Sequence, residues 1–351
     1  MNVGGIYHMS SLLFCRKLND SGDAGYKFPA DVQEIFRQMG RDVLFYGHKP
    51  NASVVHWSVD TAKLVLGGVK KVKKNSCVYV LFPIGERSIR FIKRRCKKTN
   101  SKMIGMIIDI NSLRYEDEDP QKETKLLLMF DALIVQNGRQ QEYVRKLGFR
   151  GEVSKLGVLD YLCVPSEKDA SLSDRKICYG GSLYQGQSGF LKEWSESGFI
   201  KTFHVNVYGP HMEFPIEGNT FSYEGEYSAD TIIEHISGSF GLVWNGESIH
   251  TLSGAMGDYY RYATPHKMSM YLMAGMPVIV HKDSAAAKFV KENGIGILIS
   301  SLTELEKIFS DVSDDQYAGM KNCVYKIREK LAEGYYLRRS LAEIESMIIA
   351  E

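Results

Sequence analysis

Apolar residues recur along this chain in two alternating patterns. Short runs bounded by turn residues, at 6–15, 42–46, 78–82, 103–110, 132–135 and 153–156, predict buried strands. Between them apolar positions return every three or four residues. Val32, Ile35, Phe36 and Met39 share one helical face after Pro29, Gly40 ends it, and 140–147 repeats the pattern. Strand, glycine-containing loop, helix and strand open a doubly wound α/β domain. Residues 164–176 are polar and aperiodic, the signature of a linker. A second series follows, with strands at 177–179, 205–208 and 221–223 and helices at 284–293 and 303–309. Residues 315–349 read as helical with a break near Gly334. The division expected is a first domain over 1–163, the linker, a second domain over 177–325, and a terminal helix over 326–351 that packs back toward the first.

Residues 241–281 organise the second domain. Apolar runs at 240–244 and 277–280 predict two strands, and a helix lies between them. Thr264 is the expected N-cap, Pro265 the first helical residue, and Gly275 with Pro277 the stop. Met268, Tyr271 and Leu272 repeat at helical spacing and point inward, while Thr264, His266, Lys267 and Ser269 crowd the first turn. Free amides and the positive end of the helix dipole attract an anion there. A lysine at a helix start binds nothing by itself. The preceding loop, Ser253 to Tyr260, is small, glycine-rich and aromatic, a composition that suits ligand entry more than a plain connection. Gly180-Gly181-Ser182 after a strand is a weaker sign of the same kind, since its backbone amides can approach a ligand.

A length of 351 residues suits two domains, and a net charge of +2 argues for no particular partner. That near-neutral total hides a strong local excess. Between 69 and 102 twelve lysines and arginines face the single acid Glu86, and Ile89, Ile92 and Cys96 give the intervening helix one apolar face. A solvated charged face explains this. So does docking on an anionic membrane surface, the reading favoured here. No aromatic interleaving or binding motif supports nucleic acid. Asp109, at the carboxyl end of the 103–110 strand, lies where such folds place their chemistry. The Asp117-Glu118-Asp119-Pro120 pattern sits in a charge run and reads as a solvated loop, not a metal site. Cysteines at 15, 77, 96, 163, 178 and 323 have no metal spacing and fit reduced thiols. No apolar run is long enough to span a bilayer, and the amino terminus has no signal-peptide pattern. The expected location is cytoplasmic, peripheral at the inner face of the membrane.

GLVWNGES, SGAMGDYYRY and PHKMSMYLMAGMPVIV, in that order, resemble the carboxyl-terminal half of bacterial β-1,6-galactofuranosyltransferases of O-antigen and capsule assembly. LNDSGDAGYKFPAD, IIDINSLR, DALIVQNGRQQEYVRKLG, LGVLDYL, NGIGILI and YYLRR extend the resemblance over nearly the whole chain. A more distant similarity reaches glucosyltransferases that extend sugars on streptococcal adhesins. The resemblance implies a GT-B fold, with two Rossmann-like domains facing a central cleft, and metal-independent, inverting transfer of a hexose. The donor implied is a UDP-sugar, UDP-galactofuranose first, and the acceptor a saccharide, lipid-linked ones included. Lys267 would contact the diphosphate with His266 and Ser269 beside it, Tyr223 the uracil, and Asp258 and Tyr259 the donor sugar. Gly181, Ser182, Asn245, Gly254 and Pro265 complete the candidate donor site. Asp109 is the candidate base, with Asp23 in the first glycine loop as the alternative.

The chain departs from its relatives twice. Ile108 stands where they carry His, and Tyr184-Gln185-Gly186-Gln187 replaces a loop holding a basic residue. A UDP-glucose or UDP-galactopyranose transferase, a nucleotide-sugar epimerase and a non-catalytic transferase-like partner share these motifs. Oligomerisation is open at this level.

Overall fold

The computed structural model describes residues 10–16, 24–46, 67–216 and 218–350. Asp23 and most of the first glycine loop lie outside the described residues, as does the start of the 6–15 run. The first sheet comprises β1 (Ser11–Arg16), β2 (Asp42–Tyr46), β3 (Cys77–Phe82), β4 (Lys102–Ile107), β5 (Ala132–Val135) and β6 (Glu152–Lys155). The second holds β7 (Lys176–Gly180), β8 (His204–Tyr208), β9 (Phe221–Gly225), β10 (Phe240–Val243), β11 (Val278–His281) and β12 (Gly296–Ile299). Every strand pair is parallel. Helices cover both faces, which is why β3 (CVYVLF) is apolar and buried at every position instead of alternating.

The first sheet runs β2-β1-β3-β4-β5-β6 and the second β12-β11-β10-β7-β8-β9. Counted within its domain, the second order is 3-2-1-4-5-6. It reverses direction between β7 and β10, and folds of this order bind ligands at the carboxyl ends of the two strands beside such a switch point. Both ends belong to glycine-bearing turns, Gly180-Gly181 after β7 and Asn245-Gly246 after β10. The architecture places ligand access where the two glycine segments meet.

Several details differ from the sequence reading: the stretch read as the loop Ser253 to Tyr260 is a helix over Gly254–Tyr259, and the expected boundary at 325/326 falls inside the helix Asp314–Ala332. The first helix spans Ala24–Gln38 and contains Pro29 instead of starting after it. Pro29 removes the amide that would bond the Gly25 carbonyl, a single lost bond within the first two turns of the helix. β4 ends at Ile107, so Asp109 lies in the loop beyond the strand, ahead of a 3₁₀ turn at Asn111–Leu113. The helix of the organising stretch spans His266–Met273 with Pro265 at the cap position and no side-chain cap. Thr264 is not the cap because its backbone amide donates to Gln136 Oε1 at 2.7 Å and its hydroxyl accepts from Asn137 Nδ2 at 3.0 Å.

The terminal segment forms helices at Asp314–Ala332 and Tyr335–Ala350, separated at Gly334 with φ +67°. The last helix returns to the first sheet. Leu337, Leu341, Ile344 and Ile348 join the core beneath β1, β3, β4 and β5. Arg41 pairs with Glu345 at 2.7 and 3.1 Å, and the Tyr79 hydroxyl donates to Glu345 at 2.6 Å. At its start the buried Asp160 carboxylate accepts from the amides of Tyr336 and Leu337 at 3.1 and 2.7 Å. Burial pushes that carboxyl up to about 7 against the pull of the two amides. All six cysteines are free.

Candidate functional site

The Lys267 helix is clamped to its sheet by one aromatic side chain. Tyr271 packs on β10 at Gly241, where a Cβ would fall inside the tyrosine ring. Its hydroxyl accepts from the Gly180 amide at 2.7 Å, so the helix start is fixed beside the end of β7. Lys267 then projects toward Gly181, and a Cβ on that glycine would lie 3.0 Å from the ammonium. Gly181 has φ +157°, and Gly209 (φ +138°) passes so close to the Gly181 carbonyl that no side chain fits between the two turns.

Lys267 Nζ sits 4.2 Å from the Tyr179 ring centroid and 5.9 Å from that of Tyr260. Among the described residues no carboxylate pairs with it. Burial between these rings lowers its pKa from 10.5 to about 7. The Tyr179 hydroxyl and Ser182 Oγ, both buried, have no hydrogen-bond partner among the described residues. Leaving such groups unpaired costs about 1–3 kcal/mol each. The half-buried Lys267 ammonium and the unsatisfied Tyr179 hydroxyl therefore both border Gly181, with Ser182 next in the chain and an uncapped helix start beside Lys267. The arrangement suits an anion with several acceptor oxygens.

The other candidates fall into distinct positions. His266 Nε2 lies 3.0 Å from the Asp160 carbonyl, and its ring stacks on Tyr161 at 4.7 Å. Burial lowers its pKa to about 4, so it is neutral. Ser269 donates to the Leu159 carbonyl at 2.5 Å. Both side chains are thus spent on the segment that joins the domains. Asp258 is exposed and pairs with Arg261 at 3.2 Å. Tyr223 is half exposed on the edge strand β9, and its hydroxyl donates to the Gly209 carbonyl at 3.0 Å, which puts it on the rim of the Gly181 turn. Asn245 is buried and donates weakly to the Met256 carbonyl at 3.4 Å. Gly254, with φ +68°, starts the helix Gly254–Tyr259.

Asp109, in the first domain, meets the second domain at Tyr259, the residue before Tyr260 of the Lys267 ring pair. The Tyr259 hydroxyl donates to its Oδ1 at 2.7 Å, and Arg114 Nη1 lies 3.0 Å from its Oδ2. Asp119 of the acidic loop accepts from the Gln121 amide at 2.8 Å and caps the helix Pro120–Leu127. Among the described residues no cluster of His, Cys, Asp and Glu could hold a metal ion. Sequence reasoning missed Tyr179, Tyr260 and Arg114. A tyrosine in an apolar strand carries no mark of which face it takes, and a five-residue spacing from Asp109 to Arg114 in a loop belongs to no regular period.

The N-terminal domain of the glucosyltransferase 3-like family matches residues 14–159, and the C-terminal domain of that family matches 177–344. The β-1,6-galactofuranosyltransferase WbbI of Escherichia coli K12 is 24% identical over 352 aligned residues, 97% of this chain and 98% of that protein. Glucosyltransferase 3 of Streptococcus gordonii is 31% identical over 140 residues, 40% of this chain and 41% of the relative. Among solved structures, Anabaena HepE in complex with UDP superimposes with a TM-score of 0.61 at 11% identity, covering 96% of this chain and 100% of that one. A trehalose 6-phosphate synthase from Burkholderia multivorans gives 0.56 at 10% identity, over 98% of each chain.

Proposed function

The chain belongs to the glucosyltransferase 3-like family and is a glycosyltransferase of the GT-B fold; on that premise we propose that it inverts the anomeric centre while moving galactofuranose from UDP-galactofuranose to a saccharide acceptor. The observation that carries this reading is the Lys267 ammonium, without a carboxylate partner among the described residues and held against Gly181 at the switch point of the second sheet. A departing nucleoside diphosphate develops charge at that point, and a preplaced cation beside a helix start stabilises it with little reorganisation. Asp109 takes the proton of the attacking hydroxyl. The leaving group needs no divalent ion, because Lys267 and the helix amides neutralise it. The full-length likeness to a β-1,6-galactofuranosyltransferase supports the choice of sugar, and the acceptor proposed is a saccharide of surface-polysaccharide synthesis. A second reading, a UDP-glucose transferase, draws on the higher local identity to glucosyltransferase 3.

Calorimetric titration with UDP, UDP-galactofuranose, UDP-galactopyranose, UDP-glucose and a GDP-sugar, in EDTA and with UDP release followed in parallel, decides between them. UDP-galactofuranose should bind best and be turned over. Preference for UDP-glucose would move the assignment to the second reading. No nucleotide binding would defeat both.

The reading extends to the membrane. No described helix is long and apolar enough to cross one. The helix Glu86–Thr99 buries Ile89, Ile92 and Cys96 and exposes Arg87, Arg94, Lys97 and Lys98; Lys70, Lys71, Lys73 and Lys74 are exposed as well. Lys93 and Arg95 are spent internally, on Asp131 at 2.6 Å and the Val72 carbonyl at 3.0 Å. At about 1 kcal/mol per basic residue near an anionic surface, the exposed set suffices for peripheral docking. Vesicles with anionic headgroups should retain the protein at low salt and release it at high salt. Replacing Arg94, Lys97 and Lys98 by Ala should weaken retention about a hundredfold. Equal retention by neutral vesicles would refute a charge-driven contact.

A further inference from the structure

The loop carrying Asp109 is stitched to the donor domain along a continuous seam. The Glu123 carboxylate accepts from the amides of Asn111 and Ser112 at 2.8 and 2.9 Å, which fixes the turn after Asp109. Gln136 donates to the Ile108 carbonyl on one side of Asp109, and its Oε1 accepts from the Thr264 amide. Asn137 Nδ2 donates to the Tyr262 carbonyl at 2.8 Å. Tyr259 is the closest of these ties to the carboxylate. Its ring is only 5% exposed, and its oxygen donates to Asp109 Oδ1 while accepting from the Ile110 amide at 3.2 Å. The hydroxyl therefore has one hydrogen, one acceptor for it and one donor to its lone pair, all in the Asp109 loop. Its one hydrogen is committed to Asp109.

An aspartate side chain turns readily about its last torsion, and a base works only when a lone pair faces the proton it must take. Arg114 on Oδ2 and Tyr259 on Oδ1 fix the plane of this carboxylate from two sides. Arg114 belongs to the same loop and travels with Asp109. Tyr259 belongs to the other domain, at the end of the helix that opens with Gly254 and five residues before Thr264. From this geometry we infer that Tyr259 is a positioning residue, orienting Asp109 for proton transfer only when the donor domain is seated against the first. The inference rests on the assignment of Asp109 as base. Its consequence is that the base is fully assembled by the closed arrangement of the two domains, with residues 259–264 joining it directly to the Lys267 helix.

Tyr259→Phe removes the hydroxyl and keeps the buried ring. UDP affinity is read by calorimetry. Turnover is read as UDP release from UDP-galactofuranose, or from whichever UDP-sugar of the panel is consumed, with water as acceptor. The variant should bind UDP as the parent does and lose about a hundredfold in kcat, the cost expected of a misplaced catalytic group. In the Asp109→Asn background the same change should add nothing, because the group it orients is gone. A purely structural tyrosine would lower both backgrounds alike, and that result overturns the inference. So does a loss of UDP affinity in Y259F, or an unchanged kcat in Y259F beside an inactive D109N. Parental turnover by D109N would instead remove the base assignment itself, which separates the two failures.

Discussion

Exchanging Asp109 for Asn will slow transfer about 10²–10⁴-fold while UDP binding keeps its parental strength. The substitution preserves shape, and its single oxygen can still accept from Tyr259 or from Arg114 but not from both, while Glu123 and Gln136 go on holding 108–112. What disappears is the capacity to take a proton. Because the side chain belongs to the first domain and Lys267 to the second, the two should separate cleanly in assay: kcat falls, the UDP dissociation constant does not. Parental turnover by the variant would show that another group accepts the proton, and Asp23 would be the next to test.

Lys267→Ala should weaken UDP binding by one to two orders of magnitude, about the worth of a charge-assisted contact in a partly closed site. The direction of the pH dependence follows from the lowered lysine pKa. Burial brings the free protein's Lys267 to about 7, and a bound diphosphate raises it again, because an anion favours the charged form. Affinity should therefore be full below about pH 7 and fall as pH rises above it, by at most tenfold per unit, with proton uptake on binding at pH 8. Calorimetry in buffers of different ionisation enthalpy reads that uptake directly. In Lys267→Ala the uptake should vanish along with the affinity. A variant that binds UDP normally, or a parent whose affinity ignores pH between 7 and 9, would place the diphosphate elsewhere.

The lysine also bears on the missing basic residue in the loop after Gly181. Tyr184-Gln185-Gly186-Gln187 supplies no charge there, and the described structure puts Lys267 itself against Gly181. One cation thus borders both the helix start and the glycine turn, a position it reaches because Gly181 leaves room for it.

By itself the sequence determined the layered architecture. Short continuous apolar runs such as CVYVLF, rich in β-branched and aromatic residues and bounded by turns, read as strands covered on both faces, and helical spacing between them supplies the covers. Strand, turn and helix in 240–281 were legible because the Gly241 strand, the Lys267 helix and the next strand are local in sequence, each set by its own period and breakers. Lys267 stood out for the same reason. Tertiary structure alone decided what each polar atom touches. His266, Lys267 and Ser269 share one turn, yet successive helical residues point about 100° apart, and the surface each meets comes from elsewhere. For His266 and Ser269 that surface is the 159–161 segment, more than a hundred residues upstream; for Lys267 it is Tyr179 and Gly181 across the sheet. The bond between Tyr259 and Asp109 spans 150 positions, and no pattern of local spacing encodes a contact made only when two separately folded sheets come together.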